Sequence, residues 1–287
     1  MKLFKRLSMV AVAAALIATS AFAGNASQAE AAGVQGKVVV AGSTALLPLT
    51  LQASKEFKQK NPLVSISASG AGSVTGPQSV GKGIAQIGAC DWDASTDVPG
   101  FKAFNGMVAH KVAVIPFATI VNKNVSVSNL TGAQLQEIFS GKITNWKQVG
   151  GSDAPIIVVN RAFGSGTRVN YQVKALGGGQ FMKSGANYKE VKSSGDMYTA
   201  VSTTPNSIGF IDLVYVKGDV KALNFNGVAP TVENVIAKKY PIWSYGYFMT
   251  KGQPTGATKA FIDYVQSAQF QQGSLKKMKF IPITSMK

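Results

Sequence analysis

The 287-residue sequence predicts an α/β fold of two lobes, each a mostly parallel sheet flanked by helices, with a ligand in the cleft. Short β-branched runs alternate with amphipathic helical segments, a pattern typical of sheets covered by helices. A long apolar run at 112–121 is interrupted by Pro116, and an aromatic-rich extended run at 240–250 is suited to return beside it. We therefore expect two crossings, with lobe 1 formed by 32–115 and 243–287 and lobe 2 by 116–242.

The first 31 residues have the features of a secretory signal peptide. Basic residues among the first six precede an apolar run at 9–18, which is shorter than the about 20 residues that a membrane-spanning helix needs. Cleavage after Ala23 or after Ala31 fits the small residues there, and we favour Ala31. Because the only cysteine is Cys90, neither a lipid anchor nor an internal disulfide is expected. The mature protein is predicted to be soluble, in the periplasm or secreted.

Three strands near the start of the mature chain each end in a loop that carries polar side chains. They are 37–41 before Ser43, Thr44 and Ala45; 64–68 before Ser73; and 84–89 before Asp91. A helix follows the first loop, because apolar residues recur at three- and four-residue spacing from Leu46 to Phe57, and Asn61 and Pro62 end it. Ligands of open α/β sheets collect at the carboxyl ends of strands, where these loops would converge.

The segment 156–167 is the centre of the predicted site. An apolar run at 156–159 breaks into a turn with Arg161, Ser165, Gly166 and Thr167 before a helical segment that Gly177 ends. Glycine permits close backbone approach, the hydroxyls donate hydrogen bonds, and the first N–H groups of the helix favour an anion. Arg161 supplies a planar, charged fork that suits tetrahedral oxyanions. Taken alone, this segment is equally consistent with an ordinary loop and helix cap.

The later elements complete the predicted alternation of helices and strands. They are a short helix at 130–139, a compact turn at 141–146, a strand at 207–216 and a closing helix at 261–270. No internal repeat is apparent.

Catalysis, metal binding and a cofactor are not predicted. His110 is the only histidine and lies in an apolar neighbourhood, and Cys90 is most simply a small buried residue. No cluster of His, Cys and carboxylates has metal-ligand spacing. The segment 76–82 mimics a nucleotide-binding loop, but Gly83 stands where a magnesium-binding hydroxyl is required.

The net charge of +16 is suited to anionic partners or to an acidic envelope surface. No basic run is interleaved with aromatic residues, so nucleic acid is not a predicted partner.

Asp91 indicates which anion such a site would prefer. Monohydrogen phosphate carries a proton that a carboxylate can accept in a hydrogen bond, whereas sulfate has none at neutral pH. Asp91 is therefore a candidate specificity filter, and the alternative is a solvated loop aspartate.

With these residues assembled, the chain resembles the extracytoplasmic phosphate-binding proteins of ABC phosphate-uptake transporters. Six motifs carry the resemblance in order: AGSTALLPL (41–49), GAGSVTG (70–76), IAQIGACDWD (84–93), LTGAQLQEIFSGKITNWKQVGG (130–151), RAFGSGTR (161–168) and SIGFIDLVY (207–215). The resemblance implies a type II periplasmic-binding-protein fold, a monomer that closes on inorganic phosphate and meets a membrane permease transiently. The implied ligands are Ser43, Thr44, Ala45, Ser73, Asp91, Arg161, Ser165, Gly166 and Thr167.

Two arginine features depart from this pattern or from helix electrostatics. Family members often place an acidic residue within two positions after the site arginine, where this chain has Ala162 and Phe163. Arg161 must therefore find another partner. Arg168 opposes the helix dipole, so it serves to attract phosphate, pairs across the cleft, or is solvated.

Phosphate capture for import is the leading hypothesis, with no chemistry on the ligand. The alternatives are an exported phosphatase with a Ser or Thr nucleophile, and a binding protein for sulfate, molybdate or tungstate. A secreted adhesion or sensing role also stays open.

Overall fold

A computed structural model describes residues 33–286 of the chain. The predicted signal peptide and both of its cleavage positions lie outside these residues. From Val34 onward the chain forms one compact unit.

Strands and helices alternate along the described residues, as the sequence predicts. The strands are β1 (Gly36–Gly42), β2 (Val64–Gly70), β3 (Ile87–Cys90), β4 (Met107–Asn122), β5 (Asn129–Leu130), β6 (Ile157–Arg161), β7 (Tyr188–Val191), β8 (Ser207–Asp212), β9 (Val220–Ala222), β10 (Asn224–Phe225) and β11 (Trp243–Lys251). The α-helices are α1 (Leu47–Lys60), α2 (Thr75–Gly81), α3 (Gly132–Phe139), α4 (Gly166–Lys174), α5 (Ser194–Thr203), α6 (Val232–Ile236), α7 (Gly256–Gln266) and α8 (Ala268–Phe270).

Nine of these strands form one mixed sheet in the order β2-β1-β3-β11-β4-β8-β6-β7, with β9 also paired to β4. The pairs β1–β2, β1–β3, β6–β8 and β6–β7 are parallel, while β4 and β11 run antiparallel to their neighbours. The expectation of an α/β fold is confirmed, and the parallel pairs lie on either side of the two long crossing strands.

The sixteen-residue strand β4 connects two parts of the sheet. The first part consists of β2, β1, β3 and β11, and the second part consists of β8, β6, β7 and β9. Residues 107–116 pair with β11, and residues 117–121 pair with β8. Pro116 does not interrupt the strand, because it lies where the partner changes and the next N–H, that of Phe117, donates to the carbonyl of Ile242 at 2.9 Å. The sheet therefore agrees with two crossings, and the lobe boundaries at 115/116 and 242/243 stay a prediction.

Three boundaries differ from the sequence expectation for local reasons. Strand β3 begins at Ile87 rather than Ile84, because the Ile84 N–H donates to the carbonyl of Ser79 within α2 and its side chain is 64% exposed. Leu130 belongs to β5, and α3 begins two residues later with a capping box on Thr131. Strand β8 ends at Asp212, because a 3₁₀ turn follows it at Leu213–Tyr215.

The core lies on both faces of the sheet. The alternating positions of β1 and most of β4 are fully buried, and α1 and α7 pack on the first part of the sheet. Stacked and edge-on aromatic rings fill the second part, where Tyr171 of α4 lies 4.3 Å from Phe210 of β8 between ring centroids. This packing fixes the starts of α1 and α4 over the ends of their strands.

Candidate anion-binding site

The nine predicted site residues are buried at the carboxyl ends of four strands. Ser43, Thr44 and Ala45 follow β1, Ser73 follows β2, Asp91 follows β3, Arg161 ends β6, and Ser165, Gly166 and Thr167 begin α4. Both α1 and α4 start at these loops, so their N-terminal N–H groups face the same region as the hydroxyl side chains. The structure thus brings together the residues that the sequence placed at separate strand ends.

Asp91 accepts hydrogen bonds from both parts of the sheet. The Ser43 hydroxyl donates to its Oδ1, and Thr167 Oγ1 donates to its Oδ2 at 3.4 Å. Its own N–H donates to Ser73 Oγ at 3.1 Å. With 1% exposure, Asp91 is not a solvated loop aspartate. Burial raises the pKa of the Asp91 carboxyl, while the Ser43 hydrogen bond and the charge of Arg161 act to lower it.

Arg161 is a buried cation, at 1% exposure, that contacts residues of both parts of the sheet. Its Nη2 donates to Thr44 Oγ1 at 3.1 Å and to the carbonyl of Lys192 at 3.0 Å, and its Nη1 donates to Ser194 Oγ at 3.3 Å. Nε is buried and has no hydrogen-bond partner among the described residues. Burial lowers the pKa of the guanidinium, and Asp212 and Asp91 raise it again. The guanidinium is oriented and desolvated, as strong anion binding requires.

Ser194 and Asp212 are site residues that the sequence reasoning missed. Ser194 Oγ donates to Asp212 Oδ2 at 2.8 Å, and the Ser194 N–H donates to Thr44 Oγ1 at 3.1 Å. Asp212 is fully buried, and burial raises its pKa to about 7. The start of α5 carries a sequence signal, because Ser193 and Asp196 form a capping box there. The role of Asp212 has no such local signal, since its partner lies far from it in sequence.

Gly166 is required at the start of α4 by space. A Cβ atom at this position would lie 2.6 Å from Asp91 Cβ and 2.7 Å from Asp91 Oδ2, and closer still to Ser73 Oγ. The preceding Gly164 accepts a hydrogen bond from the N–H of Val74 at 3.1 Å. The absence of side chains at 164 and 166 therefore lets the loop after β6 lie directly against those after β2 and β3.

The two residues after Arg161 provide an aromatic contact instead of a carboxylate. The Phe163 ring stacks on Phe101 at 4.7 Å between centroids, and Phe101 stacks on Trp92 at 5.2 Å. Phe163 is 72% exposed, so this stack lies at the edge of the site. The charges of Asp212 and Asp91 raise the pKa of Arg161, so its acidic neighbours come from the ends of β8 and β3 and not from positions 162 and 163.

Arg168 is held in place and does not point freely into solvent. Its Nη1 donates to the carbonyl of Arg161 at 2.7 Å and lies 3.8 Å from Glu190 Oε2 on β7. Its guanidinium carbon lies 5.0 Å from the centroid of the Phe181 ring. Since β7 pairs with β6, Arg168 contacts its own part of the sheet, and of its three alternatives the structure shows neither the pairing across the cleft nor the solvated side chain.

The residues set aside in the sequence analysis have structural surroundings. Cys90 is buried, and His110 Nε2 lies 2.9 Å from Thr250 Oγ1. Gly76 to Gly81 lie within α2, and Gly76 packs on the β3 backbone, so this segment is not a phosphate-cradling loop. Within residues 33–286, no group of three potential metal ligands comes together, and no helix is long and apolar enough to cross a membrane.

Known proteins are similar to this chain over most of its length. A family model described as a PBP superfamily domain matches residues 27–269. The phosphate-binding protein PstS of Bacillus subtilis is 35% identical over 98% of this chain and 95% of its own length. That of Borreliella burgdorferi is 28% identical over 82% of this chain and 86% of its own.

Solved structures extend the similarity to three dimensions. A Clostridium perfringens protein, assigned as a phosphate ABC transporter substrate-binding protein and solved with bound phosphate, is 34% identical with a TM-score of 0.79. The match covers 86% of this chain and 100% of the Clostridium perfringens chain. An ABC-type phosphate transport receptor from Vibrio cholerae is 28% identical with a TM-score of 0.68, over 85% of this chain and 99% of that one. The chain therefore belongs to the phosphate-binding protein family of ABC phosphate transport, and it has the type II periplasmic-binding-protein fold.

Proposed function

We propose that the protein captures inorganic phosphate between two lobes and delivers it unchanged to the permease of an ABC transporter. The observation that carries the proposal is a buried carboxylate beside a buried guanidinium at the starts of two helices, in a member of this family. The proposed ligands are the nine residues of the site, from Ser43 to Thr167. In this proposal the protein works as a monomer outside the cytoplasm and meets the permease transiently.

Closure of two lobes around phosphate is supported by where the donors come from. Thr44 and Asp91 belong to the first part of the sheet, whereas Arg161 and Thr167 belong to the second. Hydrogen bonds between these parts meet at the site, from Arg161 to Thr44 and from Thr167 to Asp91. An anion bound there would touch donors of both parts at once, so binding would favour the form in which they lie together.

Asp91 is proposed to select phosphate over sulfate. Its carboxylate accepts the proton of monohydrogen phosphate, whereas sulfate would face it as a second buried negative charge without a hydrogen bond. Sites that leave a buried polar group unpaired reject the wrong ligand by factors of about 10⁴ to 10⁵. This argument favours phosphate over the other oxyanions considered above.

Calorimetric titration of phosphate and then sulfate into the mature protein tests the proposal, after bound ligand is stripped by partial unfolding and refolding. Asp91→Asn should weaken phosphate binding by about ten- to a hundredfold and reduce the preference over sulfate. Asp263→Asn is the matched control, because that aspartate lies on the exposed face of α7, where it pairs with Lys259 at 2.6 Å. If the folded, stripped protein bound no phosphate, or bound sulfate equally well, the proposal would fail. Release of phosphate from a phosphate ester would instead support the phosphatase alternative.

A further inference from the structure

A buried hydrogen-bonded chain connects Asp212 to the guanidinium of the anion site. Asp212 is 0% exposed, and its Oδ2 accepts the Ser194 hydroxyl at 2.8 Å. The same hydroxyl oxygen accepts Nη1 of Arg161 at 3.3 Å. Asp212 Oδ1 is buried and has no hydrogen-bond partner among the described residues. Of the two carboxylate oxygens of Asp212, Oδ2 therefore accepts from Ser194, and Oδ1 has no hydrogen-bond partner among the described residues.

We propose that Ser194 and Asp212 are positioning residues of the phosphate site: Ser194 orients Arg161, and Asp212 takes up a proton when the anion binds. The inference rests on the proposed function, because it concerns how this site accommodates phosphate. Neither residue is among the nine proposed ligands.

The orientation of Arg161 follows from the hydrogen bonds that the hydroxyls of Ser194 and Thr44 can donate and accept. A serine hydroxyl has one proton and two lone pairs, and Ser194 commits its proton to Asp212. Its lone pairs are therefore left to accept hydrogen bonds, and one of them accepts from Arg161 Nη1 at 3.3 Å. Thr44 Oγ1 accepts Nη2 of Arg161 and the Ser194 N–H, both at 3.1 Å, which occupies its two lone pairs. The Thr44 hydroxyl lies 3.2 Å from Ser194 Oγ, and because the Ser194 proton goes to Asp212, Thr44 is the donor of this hydrogen bond. Ser194 Oγ therefore accepts from both Thr44 and Arg161, which fixes the guanidinium relative to the loop after β1.

The proton uptake follows from the buried charges. The charged groups that act on Asp212 are Asp91 and Arg161. Tyr215 interacts with Asp212 and Arg161, and Asp196 of α5 acts on Arg161. Two carboxylates already flank one guanidinium before a doubly charged anion arrives. The bound anion disfavours the charged form of Asp212 further. Burial has already raised its pKa to about 7, so a modest further rise gives a neutral carboxyl near neutral pH.

The oxygen of Asp212 without a hydrogen-bond partner among the described residues is the atom that can bind the proton. A proton taken from solvent goes to Oδ1, and Oδ2 continues to accept from Ser194. The orientation of Arg161 is thus kept in both protonation states. A neutral buried hydroxyl without a partner is also less costly than a charged oxygen without one.

Proton counting during phosphate binding tests the charge role. Phosphate is titrated into stripped protein in buffers of different ionisation enthalpy, which reports the number of protons taken up on binding. The pH is about 8.5, because free phosphate is then almost entirely the monohydrogen form and phosphate itself contributes little to the proton uptake. The wild type should take up about half a proton or more, and Asp212→Asn, which is permanently neutral there, should lose that uptake. Equal uptake by both proteins overturns the charge role.

The positioning role is tested by Ser194→Ala, with Ser207→Ala as the matched control. Ser207 is another fully buried serine, and its hydroxyl donates to the carbonyls of Val201 and Thr204 away from the site. Ser194→Ala should weaken phosphate binding by about ten- to a hundredfold, while Ser207→Ala keeps wild-type affinity, each with wild-type circular dichroism. Equal affinity of the two variants overturns the positioning role. Absence of phosphate binding in the wild type would instead overturn the proposed function.

Discussion

Gly166→Ala should weaken phosphate binding by about a hundredfold, while the same change at Gly195 should leave it unchanged. The added Cβ at Gly166 would lie 2.6 Å from Asp91 Cβ and 2.7 Å from Asp91 Oδ2, well inside van der Waals contact. At Gly195, also in the first turn of a helix, the nearest atom is Ser193 Oγ at 3.7 Å. The two substitutions are chemically identical and differ in the space available.

The magnitude follows from this difference in space. Overpacking of a filled site costs typically about 1–3 kcal/mol when neighbours can shift. At Gly166 the neighbours are the proposed ligands themselves, so any shift also misplaces Asp91 and Ser73. We therefore expect a cost near the upper end of that range and a fall in phosphate affinity of about a hundredfold, since 1.4 kcal/mol corresponds to a factor of ten. At Gly195, alanine should stabilise α5 by up to about 1 kcal/mol because it has the higher helix propensity.

Calorimetric titration of both stripped variants with phosphate, together with urea unfolding, provides the measurement. A Gly166→Ala protein that folds and binds phosphate within about threefold of wild type would refute the reasoning. It would mean that the loops after β2, β3 and β6 do not need to lie as close as the structure places them. A comparable loss at Gly195 would show that the effect comes from the helix and not from the site.

Further changes address charge, stability and the edge of the site. Arg161→Lys should weaken phosphate binding by about a hundredfold, because an ammonium cannot present the guanidinium's planar array of donors, and titration calorimetry will measure the loss. The pKa of Asp212 rises from 3.8 to about 7, so the ligand-free protein loses stability as pH rises through that range. Urea unfolding should find Asp212→Asn more stable than wild type at about pH 8, by up to about 4 kcal/mol, and the gain should vanish near pH 4. Phe163→Ala removes the stack on Phe101, so stopped-flow release of phosphate should accelerate by up to about tenfold.

The site's local parts are predictable from sequence because each is a strand end with a short polar loop. The run at 156–159, the glycines at 164 and 166 and the hydroxyls at 165 and 167 reappear as β6 and the start of α4. The loop at 43–45 between β1 and α1 is equally local. Patterns of this kind depend on residues within one turn of each other, so a single sequence carries them.

What could not be predicted depends on contacts between distant residues. Asp212 reads as the polar end of an apolar strand, and its significance arises only because Ser194 and Arg161 meet it in space. Arg168 reads as a cation opposed to a helix dipole, yet a carbonyl and Glu190 hold it. Strand β3 reads as longer than it is, because the apolar Ile84 is engaged by the end of α2. In each case tertiary packing overrides a local preference.

The two buried carboxylates are the least expected feature of an anion-binding site, and the free-energy cost of burying them indicates what they contribute. Burial raises the pKa of both Asp91 and Asp212, so each is held against its preference for water. A site selected for attraction alone would replace both with neutral donors and bind every small oxyanion of similar size. Under the proposed function, retaining both carboxylates would make phosphate binding depend on protons, supplied by the ligand at Asp91 and by solvent at Asp212. Monohydrogen phosphate would meet the first condition and sulfate would not, so the proposed site would have a weaker attraction for anions and a greater selectivity among them.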